Sequence, residues 1–350
     1  MGAADRLEVL IQRCYAGLDA DQLRSETLTR LKKLMTVDAA FVATVDPATI
    51  LFTSASADDP LGDVTEQFLH NEFAEDDVNK FAALAAAPDP VNSLGHATKG
   101  EWPSSTRYVE VMRPLGLGDE LRAALISNGG CWGVICLHRE DAATGFSEQE
   151  LQLVRRLGPH LAEGLRRGLL GGSISDGDVG PGVVVLDSKH TVVSVSAEAE
   201  HWMTELEPER RTELPVAVRA AAVRQHHAHE LPGAPVLKVR TGRGRWLALH
   251  ASTLRGPGDD AGERQIAVVI EPATAAQLGS FLLDLHGLTP AQQRVTELLL
   301  KGYSTRQIVD RLCLSPHTVQ EHVRAAYDKV GVGSRRELVT ALLTGSASPG

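Results

Sequence analysis

Roughly the last sixty residues of the chain repeat a pattern of short helices that carry their own start and stop signals. Thr289 precedes a proline and stands three residues before Gln292, which is the capping-box arrangement of a helix N-terminus. Ser315 also precedes a proline, and Gly331 follows the end of the apolar pattern that begins there. Residues Leu288 to Leu343 are therefore predicted to form a compact unit of four short helices.

The third of these helices has two faces of opposite character. Val319, Val323 and Val330 recur at helical spacing, so one face is predicted to pack on the neighbouring helices. The opposite face is polar and consists of His317, Gln320, Glu321, Arg324 and Asp328. A short helix, a tight turn and a second helix with a polar outer side form the helix-turn-helix arrangement that enters a DNA groove.

These segments resemble the LuxR-type (NarL/FixJ-like) helix-turn-helix family. The resemblance rests on LTP at 288–290, KGYSTRQIVDRLCLSPHTVQEHV at 301–323 and KVGVGSRREL at 329–338. It implies that the helix from Pro316 to Val330 is the recognition helix of a domain that binds double-stranded DNA. Glutamine stands at position 320, where the family usually has lysine, so the resemblance does not imply an operator sequence.

Seven residues are the candidates for DNA contacts. The expected base contacts are Gln320, Glu321 and Arg324, and the expected backbone contacts are Arg306, Ser315, His317 and Thr318. Amide, carboxylate and guanidinium groups pair best with adenine, cytosine and guanine edges, whereas short polar or cationic groups near helix N-termini suit phosphates. Glu321 and Arg324 have an alternative interpretation as a surface ion pair, since they stand three residues apart.

Residues 1–170 are predicted to form a sensor-like domain around an antiparallel sheet. Two hairpins are expected, one from 38–46 with 50–56 and one from 119–127 with 131–139. A long helix follows, with Ser147 as its N-cap and Glu150 three positions later. The order of helix, hairpin, helices, hairpin and long helix resembles a GAF domain.

A smaller unit at 181–275 follows a linker at 171–180 that is rich in glycine, serine and aspartate. Its order of hairpin, helices, hairpin and closing strand resembles a PAS domain. The fold class is therefore expected to be α+β, with a GAF-like domain, a smaller PAS-like domain and an all-α helix-turn-helix domain at 283–345. A helix from Ala275 to His286 is expected to join the second unit to this head.

The charge of the head differs from the charge of the whole chain. Residues 288–343 contain eight lysines and arginines against five acidic residues, whereas the chain carries a net charge of −10. A basic head on an acidic chain favours a DNA-binding regulator, and such heads usually act as a homodimer on spaced half-sites. A second interpretation stays open, in which the protein is an interaction scaffold with empty sensor units and its head docks on protein.

The sequence does not show the motifs of an enzyme. No phosphate-binding loop, HExxH or GxSxG is present, and the N-terminal half lacks the parallel βα repeat of a phosphorylation receiver. The chain is therefore expected not to be an enzyme, and no cofactor or metal site is evident. A small-molecule effector in the GAF-like or PAS-like unit remains open.

Some residues have a chemical interpretation beside a structural one. Cys131 and Cys136 could attach a bilin or haem, and His138 could ligate haem. The favoured interpretation is that all three belong to a packed strand, with the two thiols on opposite faces. Asn79-Lys80-Phe81 matches part of a cyclic-nucleotide motif, and an ordinary helix surface is favoured. A metal site is one interpretation of His226, His227 and His229. The favoured interpretation is a solvated helix end.

The location of the protein is expected from what its sequence lacks. No apolar run is long enough to span a membrane, and the residues after Met1 are not those of an export signal. The four cysteines have no CxxC or metal-like spacing, so reduced thiols are expected. We therefore expect a cytoplasmic protein without a membrane partner.

Overall fold

A computed structural model describes residues 3–58, 60–140, 145–170, 172, 179–208, 213–227, 236–254 and 264–344 of the protein. Within these ranges the chain forms two antiparallel sheets with their helices, followed by a purely helical segment. The predicted mixture of helices and sheets is confirmed. None of the helices in these ranges is both long enough and apolar enough to cross a membrane.

The first sheet has five strands in the order β2-β1-β5-β4-β3, and its neighbours are antiparallel. Its strands are β1 (Ala39–Val45), β2 (Phe52–Ala57), β3 (Val91–Ser93), β4 (Asp119–Ser127) and β5 (Gly130–Arg139). Its helices are α1 (Ala3–Cys14), α2 (Ala20–Leu31), α3 (Thr65–Ala74), α4 (Phe81–Ala86), α5 (Leu94–Thr98) and α6 (Glu148–Gly168). Short 3-10 helices cover Leu61–Val64, Trp102–Ser104 and Arg113–Leu115, and a π-helical turn covers Tyr108–Met112.

The two faces of this sheet pack against different helices. One face lies under α2 and α6, with α1 packed on both helices, and the other face meets α3 and α4. Both predicted hairpins are confirmed. The predicted capping box of α6 is confirmed as well, since Ser147 and Glu150 satisfy each other's backbone N–H groups.

Strand β5 contains a bulge that resets the alternation of its side chains. Leu125 of β4 pairs with Gly133, but the next pair contains Cys131, so Trp132 has no residue opposite it. Cys131 and Cys136 consequently pack on the same side of the sheet, and Trp132 packs on the other. The prediction that the two thiols lie on opposite faces is wrong, because the extra residue of the bulge inverts the alternation.

The second sheet repeats the strand order of the first, as β7-β6-β10-β9-β8. Its strands are β6 (Gly182–Leu186), β7 (Val192–Val195), β8 (Leu237–Arg240), β9 (Trp246–Leu254) and β10 (Gln265–Pro272), and its helices are α7 (Ala197–Leu206) and α8 (Val216–His227). The edge strands β2 and β8 of the two sheets are neighbours, and the backbone N–H of Lys238 donates to Asp46 Oδ2 at 3.0 Å. Most of the predicted linker at 171–180 lies outside the described residues.

Helix α9 (Ala275–Leu285) lies between the two sheets and leads into the C-terminal helices. Its Phe281 ring meets Trp132 of β5 at 6.0 Å and Trp246 of β9 at 4.9 Å between centroids. The remaining helices are α10 (Pro290–Leu300), α11 (Thr305–Leu312), α12 (Pro316–Val330) and α13 (Arg335–Thr344). The four predicted short helices and the joining helix are therefore confirmed.

Candidate nucleic-acid interface and sensor cavities

The turn between α11 and α12 is held by local hydrogen bonds. Cys313 ends α11 in the left-handed region at φ 52°, and the N–H of Leu314 donates to the carbonyl of Val309 at 3.3 Å. Ser315 then accepts the N–H of Thr318 at 3.1 Å, which caps α12. Contacts between residues that are close in the sequence therefore hold this turn together.

Helix α12 is fixed to the bundle by its apolar side. Val319, Ala326 and Val330 are buried, and the helix packs against α10 and α11. Gln320, Glu321 and Arg324 are exposed, as expected for the opposite side. The structure therefore places the three predicted base-contact residues together on one free face of the predicted recognition helix.

Two of these three side chains have no partner among the residues that the structure describes. In the part of the chain that the structure describes, no side-chain hydrogen bond or ion pair involves Gln320 or Arg324. Glu321 does have a neighbour, because its Oε2 lies 3.8 Å from Nδ1 of His317 one helical turn earlier. The alternative pairing of Glu321 with Arg324 is not formed. The guanidinium and amide groups are thus left available to an outside ligand.

The predicted backbone-contact residues form two groups. Ser315, His317 and Thr318 lie together in the first turn of α12, where the two hydroxyl oxygens are 3.0 Å apart. Arg306 is exposed in the first turn of α11. Helix N-termini carry unpaired N–H groups and a partial positive charge, so both places suit a phosphate oxygen.

Several cations of the head stabilise the bundle instead. The Lys329 ammonium donates to the carbonyl of Gly287 at 2.6 Å and to Gln292 Oε1 at 2.9 Å. Arg335 donates to the carbonyl of Leu299 at 2.6 Å, and the guanidinium of Arg311 lies over the ring of Tyr303 at 4.2 Å. The sequence could not show that Lys329 and Arg335 contact the bundle, because their partners stand 36 or more residues away in the chain.

A network of buried charges lies between the first sheet and α3 and α4. Arg122 Nη2 contacts Glu72 Oε2 at 2.6 Å, and Arg107 Nη2 contacts Glu120 Oε2 at 2.8 Å. All four side chains are almost completely inaccessible to solvent. The guanidinium of Arg122 also lies 3.7 Å from the ring centroid of Phe81. Ion pairs therefore fill the space around Arg107 and Arg122 on this side of the sheet.

The segment Asn79-Lys80-Phe81 belongs to this network. The ammonium of Lys80 donates to the backbone carbonyls of Asn71 and Glu75, the latter at 2.6 Å, and Phe81 is fully buried. Asn79 has φ 55°, and its side chain donates to the carbonyl of Ser93 at 3.0 Å. The prediction of an ordinary helix surface is wrong, because long-range contacts bury Phe81 and half-bury Asn79 and Lys80.

Glu120, Cys136 and His138 form a compact trio at the edge of the network. Cys136 Sγ lies 2.7 Å from Glu120 Oε1 and 3.2 Å from His138 Nε2. Burial raises the pKa of the Cys136 thiol and lowers the pKa of His138 to about 4. Burial would raise the pKa of Glu120, but the charges of Arg107 and Arg122 outweigh it and bring the pKa to about 2.

The donor atoms of this trio lie close enough together to surround a metal ion. The thiol of Cys136 opposes a metal ion, because its raised pKa keeps it protonated and a thiol must lose its proton before it ligates. Arg107 and Arg122 also place two positive charges beside Glu120. The arrangement therefore suits a thiol that donates to a carboxylate better than it suits a cation.

The predicted solvated helix end is wrong for His226. This residue is half-buried, and its ring meets His190 edge to face with centroids 5.5 Å apart. The side chain of His227 and the whole of His229 lie outside what the structure describes.

Three cavities among the described residues are lined in part by β2, the edge strand that faces the second unit. The first is apolar, encloses about 40 Å³ and includes Phe41, Phe68 and Val216 in its lining. The second is a polar cleft of about 730 Å³ beside α2. The third encloses about 110 Å³ and includes Arg24 of α2 and Arg240 of β8 in its lining.

Comparison with known protein families gives one match in the N-terminal half of the chain and one at its C-terminal end. The family described as bacterial regulatory proteins, luxR family, matches residues 286–342, and the GAF domain family matches residues 19–165. The spore germination protein GerE of Bacillus subtilis is 38% identical over 56 residues, which are 16% of this chain and 76% of GerE. The chain belongs to the LuxR family of bacterial regulatory proteins. The predicted resemblances of the head and of the first unit are thereby confirmed.

Other similarities are more limited. A protein of Mycobacterium tuberculosis, named as an HTH-type transcriptional regulator, is 44% identical over 52 residues, which are 15% of this LuxR-family chain but 6% of that protein. A phycoerythrobilin-bound GAF domain of a cyanobacterial phytochrome is 16% identical, with a TM-score of 0.34, and covers 48% of this chain and 96% of its own. A VqmA–ligand–DNA complex of Vibrio cholera is 18% identical, with a TM-score of 0.24, and the match covers 47% of this chain and 82% of that one.

Proposed function

We propose that the protein is a DNA-binding transcription regulator in which two sensor units control the presentation of a C-terminal head to duplex DNA. The observation that carries the proposal is the polar face of α12, on which Gln320 and Arg324 are exposed and lack partners among the described residues. A polar face without internal partners, on a family-matched helix-turn-helix, is suited to base edges.

The proposed contacts divide into two classes. In the major groove, the amide of Gln320 pairs with adenine, the guanidinium of Arg324 with guanine, and the carboxylate of Glu321 with cytosine. Phosphate contacts come from the remaining candidates, which are Arg306, Ser315, His317 and Thr318.

The proposed architecture has three parts and acts as a homodimer in the cytoplasm. Residues 1–170 form the GAF-like unit, 181–275 a PAS-like unit and 283–345 the head. The repeated strand order of the two sheets supports a second sensor unit. Two heads on one dimer would contact two half-sites, which gives more affinity than one head alone. The proposal assigns no catalytic step to either sensor unit and leaves room for a small-molecule effector.

Duplex selection with the full chain tests this function. Purified protein is expected to enrich related sequences from random duplexes. Its affinity for DNA is expected to fall as the salt concentration rises, because its lysines and arginines displace counterions from the DNA when it binds. A scaffold whose head docks on protein would enrich no sequence. Binding without enrichment and without salt dependence would rule out the proposed function.

Arg306→Ala and Thr318→Ala are expected to weaken binding to all duplexes about equally. Both side chains stand at helix N-termini, where phosphates rather than bases are contacted. Removing the arginine is expected to reduce the salt dependence of the logarithm of affinity by about one unit of slope. Arg336→Ala on α13 is the control, because this exposed cation lies outside the proposed interface. A change of preferred sequence with unchanged overall affinity would contradict the assignment.

Gln320→Ala and Arg324→Ala are expected to relax the preference at one base pair of each half-site. Each loss of a bidentate base contact should cost about 1–3 kcal/mol on the best site and little on unrelated duplexes. The measurement is duplex selection with each variant beside wild type. An unchanged sequence preference in both variants would remove this face of α12 from the groove.

A further inference from the structure

The cavity of about 110 Å³ between the two units contains a pair of arginines. Arg24 belongs to α2 of the first unit, and Arg240 ends β8 of the second. Ser54 of β2 and Thr241 contribute hydroxyl groups to the same lining. The volume is several times the roughly 10–15 Å³ that a single water needs, so the cavity can hold a group of several atoms.

Arg24 is almost completely buried but incompletely hydrogen-bonded. Its Nη2 donates to Asp21 Oδ1 at 2.6 Å and to Ser54 Oγ at 2.7 Å, while its Nε donates weakly to Ser56 Oγ at 3.4 Å. Its Nη1 is buried without an acceptor in the part of the chain that the structure describes. A guanidinium offers five N–H donors, and buried donors are nearly always paired, so this atom indicates a missing acceptor.

Arg240 of the second unit shows the same deficiency. Its Nη1 donates to the carbonyl of Gly168 at 3.4 Å, but its Nε is buried and has no acceptor within the described ranges. Burial lowers the pKa of Arg24 and of Arg240. A buried guanidinium group of the first unit and a half-buried one of the second thus border one cavity, and each contains a nitrogen without an acceptor among the described residues.

The charges around the cavity limit the ligand. Asp19 and Asp21 also line it, so the two arginines and two carboxylates sum to zero. Asp19 is occupied as the N-cap of α2, where it accepts the N–H of Gln22 at 2.8 Å, and the side chain of Asp21 is 68% exposed. A dianion would meet two carboxylates, whereas a single negative charge with two oxygens matches the two free donors.

We propose that this cavity binds the carboxylate group of a small molecule, with the guanidinium groups of Arg24 and Arg240 as the donors. The hydroxyl of Ser54, which accepts from Arg24, retains its own hydrogen for the ligand. Such a ligand would connect α2 of the first unit to β8 of the second. The site concerns ligand binding alone, so it can be tested without DNA and does not depend on the proposed function.

Thermal unfolding of the full chain tests the site directly. Sodium acetate and sodium lactate are titrated at constant ionic strength, with sodium chloride and sodium phosphate in parallel. A ligand that binds only the folded protein raises the unfolding midpoint with concentration. Both carboxylates are expected to raise the midpoint, whereas chloride and phosphate at the same ionic strength are expected to leave it unchanged.

Variants distinguish the cavity from other sites. Arg240→Gln removes one donor without emptying a core position and is expected to weaken the apparent carboxylate affinity about tenfold or more. Arg243→Gln is the matched control, because its side chain is 71% exposed and contacts Glu205 outside the cavity. Its affinity should equal that of wild type. Ser54→Ala is a second variant, expected to weaken carboxylate binding with the fold retained in circular dichroism.

Three results would overturn the proposal. The first is the absence of a midpoint shift with either carboxylate. The second is a shift with phosphate in place of the carboxylates, because the site would then take a different anion. The third is an equal carboxylate response in wild type, Arg240→Gln and Arg243→Gln, because binding would then lie elsewhere on the protein.

Discussion

Arg122→Ala is expected to lower the free energy of unfolding by about 3–5 kcal/mol, because removing one partner of a buried ion pair leaves the other charge uncompensated. Glu72 at 2.6 Å would lose its counter-ion, and Glu120 at 3.8 Å would lose one of two. The ring of Phe81 would also lose the guanidinium that lies over it. Chemical denaturation of the full chain, followed by circular dichroism, measures the change.

Arg155→Ala is the matched control for this effect. Arg155 on α6 also pairs with two acids, Asp89 at 2.9 Å and Glu148 at 2.7 Å, but these partners are about half exposed. Exposed pairs contribute about 0–1 kcal/mol, because water already solvates the separated charges. If Arg122→Ala costs no more than Arg155→Ala, the buried network does not stabilise the first unit.

The helical head could be predicted closely from the sequence because its signals are local. Thr289 and Gln292 cap each other three residues apart, and the same reciprocal arrangement occurs at Ser304 and Gln307. Local hydrogen bonds of this kind need no tertiary partner, so residue types alone indicate them. The apolar seam of α12 follows from its spacing in the same way, and the free face of that helix follows from the seam.

The two units that contain the sheets were less predictable because their decisive contacts are remote. Arg122 and Glu72 stand fifty residues apart, and no local pattern indicates that one will neutralise the other. The bulge at Trp132 depends on how β4 pairs with β5 and therefore has no signal in the strand itself. Arg24 and Arg240 meet at one cavity only because the two sheets lie side by side along β2 and β8. From the sequence alone, a charged residue in a helix or strand is expected to be exposed to solvent, and only the folded structure shows which neighbours it has.

Phe281→Ala is expected to cost about 3–5 kcal/mol of stability, because the phenyl ring is buried and its removal leaves a cavity between two large rings. Phe281 is 4% exposed and lies between Trp132 of the first sheet and Trp246 of the second. Denaturation followed by tryptophan fluorescence is the measurement, since two of the four tryptophans contact this ring.

Ser280→Ala is the control for Phe281→Ala, since Ser280 is the adjacent residue of α9 and is exposed. An exposed substitution of this kind should change stability by no more than about 0.5 kcal/mol. The head buries Val295, Ile308 and Val319 in its own bundle, so the phenylalanine variant should keep the helices of the head folded while the contact between α9 and both sheets weakens. Unfolding of Phe281→Ala at the same denaturant concentration as Ser280→Ala would show that α9 does not hold the two sheets together.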